Sequence, residues 1–222
     1  MEHEDFHKTV KISKTIRDSI LSRARNNSLP RSLSRFFSML DKKEIRHLLV
    51  GGMALLQYVK ARSTEDIDLI ISEYSLEKLS EVEIIERKDD LVFGRYCEFE
   101  VNFFLTRNPF FDKILEQCAA DQRFAEKVIS CATVKGLLLL KLYALPLCYR
   151  EGNFIRAGIY ENDIAMLVYY YKPQIPALFE EISPYMEEAD IAGLREIVAD
   201  IEKRIERFRL CFQPAKDRPS GN

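Results

Sequence analysis

His47-Leu48-Leu49-Val50-Gly51-Gly52-Met53-Ala54, followed by Arg62-Ser63-Thr64-Glu65-Asp66-Ile67-Asp68-Leu69-Ile70-Ile71, decides how this chain is read. Four residues, three of them aliphatic, end on a glycine pair and predict a short buried strand that stops at Val50. Met53 to Val59 is compatible with a helix. Ile67 to Ile71 is the next strand, with Asp68 inside it and Asp66 at its edge. A glycine pair after a strand lets the backbone approach a neighbour or a ligand closely. The helix that follows begins with free N–H groups and the positive end of its dipole, a seat suited to phosphate. Asp66 and Asp68 are two apart on extended chain, so both carboxylates leave the same face. At about 5–6 Å they repel by about 3 kcal/mol at an effective dielectric near 20. A divalent cation with a preference for hard oxygen ligands, Mg²⁺ above all and Mn²⁺ as a substitute, would neutralise them. Taken alone, each feature has a plainer reading: the glycines as a tight turn, the aspartates as solvated acids of an edge strand. Their order, with one helix and one turn between them, can bring both to one rim of a sheet.

Composition bounds the rest. At 222 residues the chain fits one domain or two small ones, and its 47% hydrophobic and 31% charged content suits a globular protein with a real core. A net charge of -2 gives no global pull toward nucleic acid or an anionic membrane. Cys97, Cys118, Cys131, Cys148 and Cys211 include no C-x-x-C pair and are odd in number. Neither a disulfide framework nor a zinc site is expected, and a reducing cytoplasm fits. Met1-Glu2-His3-Glu4-Asp5 does not read as a secretory signal, and the apolar run from Gly136 to Tyr149 is interrupted by Lys141 and Pro146 and too short to span a bilayer.

Outward from the central stretch, Val10, Ile12, Ile16, Ile20 and Leu21 mark one face of an N-terminal helix that ends at Asn26 to Pro30, and Ser32 to Leu40 reads as a second helix. Ser75 to Ser80 reads as a short helix and Phe111 to Gln117 as another. Leu91 to Thr106 predicts a hairpin turning near Gly94, with Glu98, Glu100, Asn102 and Phe104 on one face and Phe99, Val101, Phe103 and Leu105 on the other. From Thr133 the pattern is helical: Thr133 can cap Val134 to Leu145, Pro146 stops or kinks that helix, and Asn162 or Asp163 starts the next. The apolar stripe Ile191, Leu194, Ile197, Val198, Ile201, Ile205, Phe208 predicts a long helix packed on the body of the protein, with a partner helix as the alternative.

Leu48-Leu49-Val50-Gly51-Gly52-Met53-Ala54 with Arg62-x-Thr64-x-Asp66-x-Asp68-Leu69 resembles the signature of the DNA polymerase β-like nucleotidyltransferase superfamily, with thirteen residues between Gly52 and Asp66. The closer similarity is to its minimal branch, the AbiEii/AbiGii toxin-like nucleotidyltransferases, over Ile45 to Leu167. The resemblance implies an α/β (α+β) nucleotidyltransferase fold, a small mixed sheet flanked by helices, followed by a helical C-terminal region. Residues 1–130 would form the core with its N-terminal helices, 131–212 the helical region and 213–222 a disordered tail. It implies phosphate-binding roles for Gly51 and Gly52, metal-binding roles for Asp66 and Asp68, and a reaction that moves an NMP group from an NTP to an acceptor with release of pyrophosphate. Two Mg²⁺ ions would clamp the attacking and leaving oxygens. The acceptor implied is tRNA or a protein hydroxyl, and a cognate antitoxin would be a partner. Arg62 and Thr64, on the turn before the first carboxylate, are further nucleotide-binding candidates: Arg62 would contact a phosphate or the acceptor, and Thr64 would hold the loop.

The pattern departs at the third acid. In the register Val101-Asn102-Phe103-Phe104-Leu105, the strand position that carries an aspartate in the family is Asn102. An amide can ligate through its carbonyl oxygen but is no base at neutral pH. Glu100, two residues earlier on the same face, is the substitute for metal binding and for the base role; Glu98 is more distant, and both can also be read as solvating an exposed face. Lys141, inside Thr133-Val134-Lys135-Gly136-Leu137-Leu138-Leu139-Leu140-Lys141, matches a lysine that contacts the triphosphate in the family. Beside so many leucines its ammonium must snorkel or find an anion. Asp163 matches a family aspartate and reads either as a partner of Lys141 or Arg150 or as an N-cap. The rival to a transferase is a catalytically weak or inactive nucleotide-binding or partner-binding module.

Overall fold

A computed structural model describes residues 31–59, 64, 66–124 and 126–212. The N-terminal helix read between Val10 and Ile20, Arg62 and the tail from Gln213 lie outside them. The chain divides into two compact units at Leu137–Leu138, inside one helix.

The first unit is built on a mixed sheet of seven strands, β1 (His47–Val50), β2 (Asp66–Ile71), β3 (Glu83–Lys88), β4 (Leu91–Tyr96), β5 (Phe99–Leu105), β6 (Ala119–Phe124) and β7 (Lys127–Ala132). Their order is β3-β4-β5-β2-β1-β7-β6. β1 runs antiparallel to β2 and parallel to β7, and β2 runs parallel to β5. Two antiparallel hairpins complete the edges. This is the α/β architecture expected, with strands added on both sides.

Helix α1 (Arg31–Lys42) buries Leu33, Phe36, Phe37 and Leu40, the i, i+3, i+4, i+7 stripe of an amphipathic helix. Its Phe36 ring lies 5.0 Å from Tyr96, and its Phe37 ring 5.9 Å from His47. His47 is the register partner of Ile71, so it shares a face with Ile67 and Leu69, not with Asp66 and Asp68. Helix α1 therefore covers the sheet face opposite the carboxylates. His47 Nδ1 sits 2.9 Å from the Ile45 carbonyl, and burial pushes the imidazole below its ordinary pKa, in keeping with a packing role. Helix α2 (Gly51–Leu55) starts on the glycine pair itself and is shorter than the Met53–Val59 segment expected. Helix α3 (Glu73–Glu77) is capped by Ser72, which accepts from Ser75 N–H at 3.1 Å. Helix α4 (Pro109–Gln117), capped by Asn108, sets Phe111 5.3 Å from Phe104 and so covers the far half of the carboxylate-bearing face.

The expected hairpin turn at Gly94 is displaced. Gly94 is inside β4, and the chain turns at Cys97–Glu98, where Cys97 takes φ 53. A strand glycine marks close approach of a neighbouring backbone as readily as a turn, and here β3 supplies that neighbour, Ile84 standing opposite Gly94.

Helix α5 (Val134–Arg150) begins as expected: Thr133 Oγ1 accepts from Gly136 N–H at 3.3 Å. Pro146 does not end it; the helix continues to Arg150. In the second unit, α6 (Phe154–Tyr171) starts eight residues before Asn162. Gly152 at φ +68 reverses the chain and Asn153 caps the helix, accepting from Arg156 N–H at 3.1 Å. Phe154 and Ile155 in its first turn are exposed, which hides the start from any reading based on burial periodicity. Asp163 is thus in mid-helix and is not the N-cap. After α7 (Ile175–Ile182) and one 3₁₀ turn, α8 (Glu188–Phe212) buries Ile191, Leu194, Val198 and Ile201. The stripe continues to Phe208, whose ring lies 6.0 Å from Tyr169 of α6 while remaining half exposed. Arg150 pairs with Asp190 of α8 at 2.6 Å. Among the described residues no helix is long and apolar enough to cross a membrane.

Candidate functional site

Three strand ends meet at one rim of the sheet. Because β1 is antiparallel to β2, its last residue Val50 stands opposite Asp68 near the start of β2. Because β5 is parallel to β2, its first residues lie there too: Asp66 is in register with Glu100, and Asp68 with Asn102. In-register neighbours share a face. Asp66, Asp68, Glu100 and Asn102 therefore occupy one surface of two adjacent strands, and Ile67, Val101 and Phe103 are buried on the other.

The glycine pair has a steric reason for being at this rim. Gly51 takes φ +63, and a Cβ added to it would lie 1.8 Å from Asp68 Oδ2. A Cβ on Gly52 would lie 2.6 Å from Thr64 Oγ1, and Thr64 is buried. The glycines let the Asp68 carboxylate and the Thr64 hydroxyl close on the backbone where β1 becomes α2. Substituting Gly51→Ala is expected to destabilise the protein by about 1–3 kcal/mol through its left-handed backbone and to displace Asp68. Urea unfolding checks this; an unchanged midpoint would contradict the packing of Asp68 on Gly51.

Asp68 is gripped from both flanks. Its Oδ1 accepts a hydrogen bond from Asn102 Nδ2 at 2.8 Å, while Oδ2 lies over Gly51. Asn102 thus acts on the carboxylate as a donor, a role sequence alone did not specify. Glu100 is exposed, with Asp66 on one side and Arg95 of β4 as its register partner on the other. Arg95 escaped the sequence reading because only cross-strand register brings it near the rim. Among the described residues no group of three or more His, Cys, Asp or Glu side chains is gathered for a metal ion.

Lys141 belongs to the second unit and has found its anion there. Its Nζ lies 2.7 Å from Asp163 Oδ2, both groups are buried, and the Tyr160 ring centroid is 4.9 Å from the same ammonium. Tyr160 and Asp163 are i, i+3 on α6, which places ring and carboxylate on one face toward α5.

No family model and no curated protein matches this sequence. Solved structures do. The antibiotic-resistance factor ANT(2'')-Ia aligns in its solution structure at TM-score 0.48 and 11% identity, over 80% of this chain and 95% of that one. An antigenic nucleotidyltransferase-like protein from Paracoccidioides brasiliensis aligns at TM-score 0.48 and 17% identity, over 78% and 89%. The crystal structure of ANT(2'')-Ia in complex with adenylyl-2''-tobramycin aligns at TM-score 0.43 and 12% identity, over 74% and 95%. At these scores the likenesses assign no activity.

The chemistry of the rim residues fits a hard cation. Asp66 and Asp68 supply oxygen donors from one face, both are partly exposed, and Asp68 Oδ2 sits beside the glycine turn. Mg²⁺ is ordinarily held in this manner, by one or two carboxylates together with substrate phosphates.

Proposed function

We propose that this chain is a divalent-metal-dependent nucleotidyltransferase that moves an NMP group from an NTP to a hydroxyl acceptor. One observation supports it above the others: Asp68 is wedged between the Gly51 backbone and the Asn102 amide, beside Asp66, at a rim where three strand ends converge. β2 is the central strand of the sheet, so the plainer reading of this pair as solvated acids of an edge strand does not fit them.

In this reading the acceptor oxygen attacks the α-phosphorus, the bond from that phosphorus to the α–β bridging oxygen breaks, and pyrophosphate leaves. The bound cation would polarise the α-phosphoryl and neutralise developing charge. Asp66 and Asp68 would hold it, and the Gly51-Gly52 turn would leave room for the triphosphate against the backbone. Thr64 fixes the approach to β2, and Arg62 is the phosphate contact that the resemblance implies. Glu100 takes the acceptor proton. The resemblance to AbiEii/AbiGii proteins points to tRNA or a protein hydroxyl as the acceptor and to the toxin of a toxin–antitoxin pair, and the unpaired pattern of cysteines points to a reducing cytoplasm.

Incubation with each labelled NTP, Mg²⁺, total tRNA and cell lysate tests this against Asp66→Ala and Glu100→Gln. Labelled acceptor is expected with wild type and none with Asp66→Ala. Glu100→Gln is expected to slow transfer about a hundredfold or more, the scale of a lost general base; full activity would remove Glu100 from the mechanism. The second reading, a nucleotide-binding module without transfer, is favoured by Asn102 standing where a third carboxylate would be. NTP binding with no labelled acceptor would establish it.

A further inference from the structure

We infer that the rim binds a single divalent cation with its nucleotide, and that Asn102 is the residue that holds the number at one. The inference rests on the nucleotidyltransferase reading and sharpens it. A pair of ions about 3.5–4 Å apart is close enough for the two oxygens of one carboxylate to divide between them. Asp68 is the in-register neighbour of position 102, so its two oxygens are the ones a pair of ions would divide. Only one of them faces the glycine turn. Oδ2 lies over Gly51, where a cation can meet substrate phosphate, whereas Oδ1 is 2.8 Å from Asn102 Nδ2. An amide nitrogen carries protons and has no lone pair for a metal. A second cation at Oδ1 would therefore meet N–H groups on the β5 side.

The hydrogen bond also serves the single-ion state. It places positive N–H density on a carboxylate that has a like charge two residues away. It fixes the carboxylate plane from β5 while Gly51 fixes it from β1. Glu100 does not replace the missing acid at this position, because it is in register with Asp66 and not with Asp68, and Arg95 stands at its other side. Asn102 is a positioning residue: it acts on Asp68 and not on the reacting atoms.

Bound Mn²⁺ can be counted directly, from the loss of the free-ion EPR signal as metal is titrated into full-length protein saturated with an NTP whose α–β bridge is a methylene. Wild type is expected to bind close to one ion per nucleotide-loaded chain, and Asn102→Asp close to two. Two ions in wild type would overturn the inference while leaving the nucleotidyltransferase reading intact, and would mean that the amide rotates to offer its oxygen. One ion in both proteins would show that Asn102 does not set the number. No ion and no nucleotide bound by wild type would sink the underlying reading itself. Melting curves with and without Mn²⁺ control for folding of Asn102→Asp, which is expected to be stabilised by the metal more than wild type.

Discussion

Replacing Lys141 by methionine is expected to remove about 3–5 kcal/mol of stability, because it leaves the carboxylate of Asp163 buried without its cation. Lys141 and Asp163 are 5% and 0% exposed, and their charged atoms are 2.7 Å apart between α5 and α6. Attraction between two buried charges does not by itself make such a pair favourable, since both were taken out of water. The large effect lies in breaking it. The double variant Lys141→Met/Asp163→Leu is therefore expected to recover most of the loss, as removing both charges relieves both burial penalties. Urea unfolding of the two single variants and the double variant measures the coupling. A Lys141→Met variant within about 1 kcal/mol of wild type would mean that the pair contributes no more than a surface ion pair does. The same proteins decide what else Lys141 does. The resemblance assigns it to the triphosphate, whereas the structure shows its Nζ on Asp163. If the ammonium serves only to join the helices, the double variant keeps wild-type NTP affinity. If it reaches phosphate, affinity falls although folding is restored.

Lys141 also illustrates what the sequence does and does not disclose. That a lysine among leucines needs an anion follows from solvation alone. Which anion it finds is set twenty-two residues away by where α6 begins, and that depended on a turn at Gly152 and Asn153 with exposed apolar residues after it. The rim shows the same division. Asp66 and Asp68 sharing a face, and Asn102 and Glu100 sharing one, follow from the period of two in any strand. The one-to-one match of Asp68 with Asn102 is a parallel pairing across thirty-four residues, which no local pattern specifies. Two strands lack a sequence pattern for a physical reason. All six residues of β3 are exposed, so it carries no alternation, and β6, Ala-Ala-Asp-Gln-Arg-Phe, buries only Phe124. Such edges are recruited by a sheet already formed; β1 and β2, apolar over most of their length, announce themselves.

Asp68→Asn is expected to lower nucleotidyl transfer about a thousandfold or more, since each 1.4 kcal/mol of lost transition-state stabilisation is tenfold in rate and a metal's contribution is several kcal/mol. The substitution is nearly isosteric. Its carbonyl oxygen can still accept from Asn102 Nδ2, and its amide nitrogen fits the space over Gly51 that Oδ2 now fills. What it removes is charge. Without metal, that relieves repulsion from Asp66 of at most about 3 kcal/mol, less after solvent screening at these partly exposed positions. Stability is therefore expected to hold or rise while activity collapses, the trade found where a site is shaped for a ligand and not for the fold. Melting temperature and labelled-NTP turnover, measured on the same preparation, separate the two explanations of the aspartate pair. A functional pair gives opposite signs. A structural carboxylate, kept only for its bond to Asn102, would leave turnover untouched, and that result would remove the rim from the chemistry.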